Sequence, residues 1–401
     1  MAARQSARHR DRAIAVLRAL AIPPGRSALA VLAEVEGVLD GRGSPLAPVP
    51  AGDLRAIEQL TVSLRIGEEV DDDVALVVAT SGTTGPPKGA MLTAAALIAA
   101  ASASHDRLGG PGTWLLALSS HHIAGIGVLV RSVLAGTVPV ELDLRGGFDP
   151  AELPRAIDQL GSGRSYTSMV AAQLAKALTD PAAAEALSAL DAVLVGGGPA
   201  PASVLDAATA AGITIVRSYG SSETAGGCVY DGLPLDGVRL RIDEADSGGT
   251  GRITVGGATL AKGYRNPPQP DPFAETGWFH TSDLGLIESG ELRVLGRADE
   301  AISTGGLTVL PDPVERVLAG HPAVVECAVF GVPDERLGQR VAAAVIADAL
   351  SPPPTLAELK ELVVSALDRS AAPRELHIVD ELPRNGMAKV DRRVLRERFS
   401  P

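Results

Sequence analysis

The feature that most limits the folds open to this chain is a junction that recurs along it: a short apolar run halted by a loop of glycines and polar side chains. Residues 74–79 (VALVVA) run into TSGTTGPPKG at 80–89, and residues 113–119 into HHIAG at 121–125. Residues 192–195 run into Gly196-Gly197-Gly198, and residues 213–217 into Ser218-Tyr219-Gly220. Between them lie stretches of helical character: an alanine-rich one at 92–103, an apolar one ending at Ala135, and others at 150–160 and 170–177. Further strands are expected at 138–142 and 166–169. Short apolar runs alternating with helices predict an α/β domain. Such a domain binds its ligands in loops at the carboxyl ends of the strands.

The texture changes near Gly237. Residues 238–242, 251–255 and 291–295 alternate in polarity between glycine-rich turns, the pattern of a β-rich subdomain. Another break follows Gly296 and Arg297, and the remaining hundred or so residues, with candidate elements at 315–318, 324–330, 340–347, 356–367 and 375–379, read as a small α+β domain. The expected organisation is a large domain at 1–297, β-rich over 237–297, and a small domain at 298–401. Toward the start, 13–39 carries apolar residues at helical spacing, so two helices separated at Pro23-Pro24-Gly25 are expected, and 41–50 reads as a linker. Residues 1–12 are arginine-rich and read as a solvated first helix or a loose end.

Composition narrows the function. A net charge of −12 argues against non-specific nucleic-acid binding. No segment reads as membrane-spanning or as a secretory signal. Cys228 and Cys327 match no metal-binding spacing, so a reducing cytoplasm is the expected compartment. Of the 36 basic residues only five are lysines, so a lysine inside a motif carries unusual weight.

The loop at 80–89 contains one of them. Its glycines allow tight turns and close approach to a ligand. The freed N–H groups and the hydroxyls of Thr80, Ser81, Thr83 and Thr84 can converge on a phosphate, and Lys88 adds a mobile positive charge. It is not a Walker A loop, because Lys88 is followed by glycine. With Gly82 and Gly85, the segment resembles the phosphate-binding loop of the adenylate-forming superfamily, which includes acyl-CoA synthetases, luciferases and peptide-synthetase adenylation domains.

Six further segments resemble that superfamily's motifs in the superfamily's order, over roughly residues 70–395. In His121-His122-Ile123-Ala124-Gly125 the resemblance places His122 beside the acyl pocket, with Ser119 where relatives carry proline. Gly197 and Gly198 match the loop on which adenine rests. Tyr219-Gly220-Ser221-Ser222-Glu223 matches a motif whose tyrosine stacks on adenine, whose hydroxyl (here Ser222) meets the α-phosphate and whose glutamate holds Mg²⁺. Asp283, after Trp278-Phe279-His280-Thr281-Ser282, would accept the ribose hydroxyls, and Arg297 would reach ribose or phosphate. Asp299 matches the hinge of the small domain, and Gly305 and Gly306 its thiol-admitting face. Lys389, in the last motif (383–392), would bridge carboxylate and α-phosphate during adenylation. Ser303 and Pro313 depart from the usual lysine and glutamate, while Glu315 keeps the second glutamate.

The resemblance implies a large adenylate-forming domain, a mobile small domain, and an AMP-forming acid–thiol ligase using Mg²⁺, ATP and coenzyme A. A homodimer is the assembly it implies. The phosphate loop comes early in the chain, which favours short-form members with a trimmed N-terminal region. Segments 119–132 and 226–237 resemble the branch that serves menaquinone synthesis, whose acid combines a benzene ring with two carboxylates. The acyl pocket expected on this basis comprises His122, Thr167, Ser168, Met169, Gly197, Ser221, Gly226 and Gly227, with Ser168, Thr167 or a water as partner of the second carboxylate. Two other readings stay open. One is a ligase for another aryl or short acyl acid, or an adenylating enzyme that loads a carrier-protein thiol. The other is a non-catalytic binding protein on a ligase scaffold, which loss of Lys88, Glu223, Asp283, Arg297 or Lys389 would have favoured; all five are present.

Overall fold

Seven strands form the main sheet, in the order Leu233–Pro234, Gly226–Tyr230, Ile215–Ser221, Ala192–Gly196, Ser165–Val170, Thr113–Leu116 and Val140–Glu141. The computed structural model describes residues 14–23, 25, 28–80, 87–384 and 390–400. From Ile215–Ser221 to Val140–Glu141 the strands are parallel, and Gly226–Tyr230 folds back antiparallel at one side. Side chains alternate between two apolar cores, as a two-residue period demands. Trp114, Tyr166 and Leu194 enter one core with Leu97 and Leu129, and Leu115, Met169 and Val193 enter the other with Leu153 and Leu174. The helices Ala94–Leu108 and Ile123–Ala135 cover the first face.

A second sheet places Arg18–Ile22, Leu46–Pro50, Val74–Thr80 and Lys88–Thr93 side by side. Three expectations fail here. Ile14–Val16 and Arg18–Ile22 are strands rather than a helix, and only Ala28–Leu39 is helical. In Arg18–Ile22 it is Leu20 and Ile22, two apart, that are buried. The presumed linker ends in a buried strand, Leu46–Pro50, although it contains two prolines. Ala51 N–H donates to the Ile22 carbonyl, so the N–H groups of residues 47, 49 and 51 face Arg18–Ile22. Pro48 and Pro50 therefore direct their missing donors toward Val74–Thr80, and that ladder shrinks to one pairing, Leu46 with Leu76. Finally, the chain after the phosphate loop does not turn helical at Leu92. Lys88–Thr93 returns antiparallel along Val74–Thr80, and Thr93 caps the helix Ala94–Leu108 by accepting the Ala96 N–H.

The β-rich subdomain is an antiparallel sheet of Val238–Asp243, Gly251–Gly257, Trp278–Glu288 and Glu291–Arg297. Its eleven-residue strand Trp278–Glu288 is not among the strands expected from the sequence. The small domain packs Pro311–Leu318 and Leu356–Ala366 on a sheet containing Val324–Asp334, Gly338–Ala347 and Glu375–Ile378. Pro311 and Pro313 stand in the first turn of their helix, where a missing N–H is tolerated.

Candidate active site

The parallel strands deliver most of the expected residues to one edge. Thr80 and Lys88 face each other across the hairpin, at the base of the phosphate loop. Ser81, Gly82, Thr83, Thr84 and Gly85 lie outside the described residues, as do Lys389 and residues 1–12. The loop's exit is tied down by Asn266, which accepts the Gly89 N–H at 3.0 Å and donates to the Pro87 carbonyl at 2.9 Å.

Gly197 and Gly198 are exposed at the end of Ala192–Gly196, and Tyr219, Gly220 and Ser221 end the neighbouring strand. Gly220 is obligatory, since a Cβ there would sit 2.0 Å from the Gly226 carbonyl oxygen. Ser222 and Glu223 follow on a buried 3₁₀ turn. Asp283 and Arg297 reach the same place from the β-rich sheet, where they are paired across adjacent strands. Tyr219 donates to Asp283 Oδ2 at 2.7 Å, and Arg297 donates to Asp283 Oδ1 at 3.3 Å. Burial, and then the facing Asp283 carboxylate, hold the Tyr219 hydroxyl well above its ordinary pKa, so it remains a donor.

Glu223 is 7% exposed, and among the described residues no arginine or lysine pairs with it. Its Oε1 accepts the Tyr264 hydroxyl at 2.5 Å, and its Oε2 has no hydrogen bond among the described residues. A nearly buried carboxylate without a cationic partner fits a metal ion. Among the described residues no group of three or more histidine, cysteine or carboxylate donors could hold one, so phosphate and water oxygens would complete the coordination.

On the face covered by Ile123–Ala135, His122 occupies the N-cap position, and Ser119 and His121 pair through Oγ and Nδ1 at 2.6 Å. Ser119, the departure from proline, thus fixes the neighbouring imidazole, whose pKa burial lowers. Gly125 lets the helix start against the preceding loop, since a Cβ there would lie 2.2 Å from the Ser119 carbonyl oxygen. Gly226 and Gly227 open the strand beside Ile123, and Ser168 lies on the same face as Tyr166.

Two pocket assignments are corrected. Thr167 and Met169 alternate to the other side of Ser165–Val170. Thr167 is fully buried and donates to the Leu115 carbonyl at 3.0 Å, and Met169 belongs to the opposite core. Neither shares the face on which Ser168 lies.

That face carries Arg131, which falls within the segment 119–132 and has no role expected from the sequence. It lies nine residues beyond His122, about 13 Å along the helix axis. Its guanidinium stacks 4.1 Å from the Trp114 ring centroid and donates to Ser168 Oγ at 3.3 Å, while Nε is buried without a partner among the described residues. Burial pushes its pKa below the ordinary value, and no carboxylate pairs with it among the described residues. The nearby His105 is held below its ordinary pKa by burial and then by Arg131. The signal in the sequence was a lone charge in the helix IAGIGVLVRSVLA.

Besides Asp283, Arg297 grips Asp299 with two hydrogen bonds of 2.9 and 2.7 Å. Burial lowers the Arg297 pKa, and the carboxylates of Asp299 and Asp283 more than restore it, so it lies above its ordinary value. Gly305 and Gly306 form an exposed two-residue turn with φ of 59° and 81°, between Ile302–Thr304 and Leu307–Val309. Arg392, which had no expected role, donates to Glu300, Asp312 and Glu315.

Known proteins match this chain along nearly its whole length. The sequence model of the family described as AMP-binding enzyme matches residues 25–265, and that of the AMP-binding enzyme C-terminal domain matches 313–389. A relative described as a probable 2-succinylbenzoate–CoA ligase of Mycobacterium tuberculosis strain H37Rv is 65% identical over 387 residues, covering 96% of this chain and 99% of its own. O-succinylbenzoate CoA synthetase of Bacillus subtilis, in complex with its acyl-adenylate intermediate, superposes with a TM-score of 0.75 at 26% identity, covering 95% of this chain and 88% of that one. The same enzyme with ATP and magnesium ion gives a TM-score of 0.74 at 26% identity, covering 94% and 88%.

Proposed function

Because this chain belongs to the AMP-binding enzyme family, we propose that it is an AMP-forming ligase that joins 2-succinylbenzoate to coenzyme A for menaquinone synthesis. A carboxylate oxygen of the acid attacks the α-phosphorus of ATP, and diphosphate leaves. The thiol sulfur of coenzyme A then attacks the acyl carbon of the adenylate, AMP departs with the bonding electrons, and the thiol proton goes to solvent.

The observation that carries the choice of acid is Arg131, a buried guanidinium without a carboxylate partner among the described residues, stacked on Trp114 beneath the helix that His122 caps. A substrate with a second carboxylate supplies that partner, and the planar fork of arginine suits a carboxylate. Ser168 lies within hydrogen-bond distance of the same guanidinium and completes the subsite.

At the other end of the acid, His122 borders the reacting carboxylate. Lys88 and Thr80, with Ser222, bind the phosphates, and Gly197 and Gly198 support adenine beside Tyr219. Asp283 and Arg297 hold the ribose. Glu223 holds magnesium, which, when bound, neutralises charge on the phosphates as diphosphate leaves. Lys389 stabilises the charge developing during adenylation. The domains meet between residues 297 and 298, and rotation about Asp299 brings the Gly305-Gly306 turn to the site for thioester formation. The two free cysteines suit a reducing cytoplasm, and no helix among the described residues is long and apolar enough to cross a membrane.

The test is a coupled assay of the purified protein with MgATP, coenzyme A and 2-succinylbenzoate beside benzoate, salicylate and a short fatty acid. The expected result is thioester formation with strong preference for 2-succinylbenzoate. Preference for a monocarboxylic acid would overturn the assignment of the acid, and diphosphate release without a coenzyme A thioester would overturn that of the thiol.

A further inference from the structure

Tyr264 touches both charged groups that flank the phosphates in the proposed function. Its segment is laced to the hairpin that begins with Lys88. Lys262 N–H donates to the Met91 carbonyl, Met91 N–H to the Gly263 carbonyl, and Arg265 N–H to the Gly89 carbonyl, at 2.8, 3.0 and 2.7 Å. Ala261 N–H donates to the carbonyl of Glu223 itself at 2.8 Å. The backbone is thus fixed on both sides of Tyr264, and its ring packs edge-on against Phe273 with centroids 5.3 Å apart.

From this anchored position the hydroxyl reaches Glu223 Oε1 at 2.5 Å, and the face of the ring lies 5.1 Å from Lys88 Nζ. The hydroxyl is the donor of this pair, since a carboxylate oxygen accepts. One oxygen of Glu223 is committed to Tyr264, and Oε2 is left without a hydrogen bond among the described residues. A glutamate side chain has three rotatable bonds, and a donor on one oxygen selects the direction in which the other points.

We propose that Tyr264 is a positioning residue, whose hydroxyl aims the second oxygen of Glu223 at magnesium and whose ring face holds Lys88 beside the phosphates. The inference rests on the reading of Glu223 as the magnesium ligand.

The experiment is calorimetric binding of a non-hydrolysable ATP analogue at stepped Mg²⁺ concentrations, with the purified full chain. Tyr264→Phe, which keeps the ring, should raise the Mg²⁺ concentration needed for half-maximal tight binding by about tenfold, the usual scale for removing a group that orients a metal ligand. Glu223→Gln should raise it further, and Tyr264→Phe added to Glu223→Gln should have no additional effect, because the hydroxyl acts through the carboxylate. If Glu223→Gln shifts the Mg²⁺ dependence and Tyr264→Phe does not, the inference fails while Glu223 keeps its role. If neither shifts it, both fail. Should Tyr264→Phe alone not fold, the double variant decides, since it removes both halves of the pair. A weaker response to Mg²⁺ in the double variant than in Glu223→Gln would overturn the inference, and an equal response would support it.

Discussion

Arg297 and Arg392 hold carboxylates on either side of the same short turn, Ala298–Glu300, yet they sit in opposite surroundings. Arg297 is 40% exposed and shares itself between Asp283 and Asp299. Arg392 is 15% exposed and faces Glu300, Asp312 and Glu315, which are almost as buried. Burial raises the pKa of all three of those carboxylates, with Arg392 pulling each back down. Glu315 is further committed by the Val329 N–H at 2.6 Å. Side chains of the same kind therefore do two different jobs. The partly exposed cluster can exchange its partners for a ribose or a phosphate, whereas the buried one can only hold the small domain together, because any loss strands a charge away from water.

This contrast can be broken by two substitutions. Arg392→Met leaves three buried carboxylates without their cation, and should cost the small domain about 3–5 kcal/mol. Both tryptophans, Trp114 and Trp278, precede residue 298, so the effect should be read by amide hydrogen exchange in Pro311–Leu318 and Val324–Asp334 rather than by fluorescence. Unchanged exchange in those elements would mean that the cluster does not hold the small domain. Arg297→Ala should have the smaller structural effect, below about 1 kcal/mol, because its ion pairs are substantially exposed. Its cost should appear in nucleotide binding, as a loss of about 10–100-fold in ATP affinity by calorimetry, the value of one or two charge-assisted hydrogen bonds. A variant that lost stability but bound ATP normally would reverse the roles assigned to the two arginines.

What could be read from the sequence divides along a physical line. The residues proposed to contact a nucleotide stand in loops of unusual composition, and Gly197, Tyr219, Glu223 and Asp283 can be picked out from order alone. The supports behind them cannot. Tyr264 approaches Glu223 from a segment 41 positions further on, and Arg392 approaches Glu315 from 77 positions away, distances that no local pattern records. A strand read alone does not disclose which of its residues share a face, so the sequence groups Thr167, Ser168 and Met169 together, whereas Ser168 lies on one face and its two neighbours on the other. The N-terminal strands were misread because RALAI consists largely of good helix formers, and because two prolines disguised Leu46–Pro50. Tertiary pairing decided both.

Arg131 is proposed to select an acid with a second carboxylate. The most direct measurement compares the wild-type chain with Arg131→Met, which keeps an unbranched apolar side chain against Trp114, in kcat/KM for 2-succinylbenzoate and for benzoate. Losing a buried charge-assisted pair should lower kcat/KM for 2-succinylbenzoate by about 100-fold or more and leave that for benzoate nearly unchanged. An equal loss for both acids, or none for either, would contradict the assignment of Arg131 to the second carboxylate.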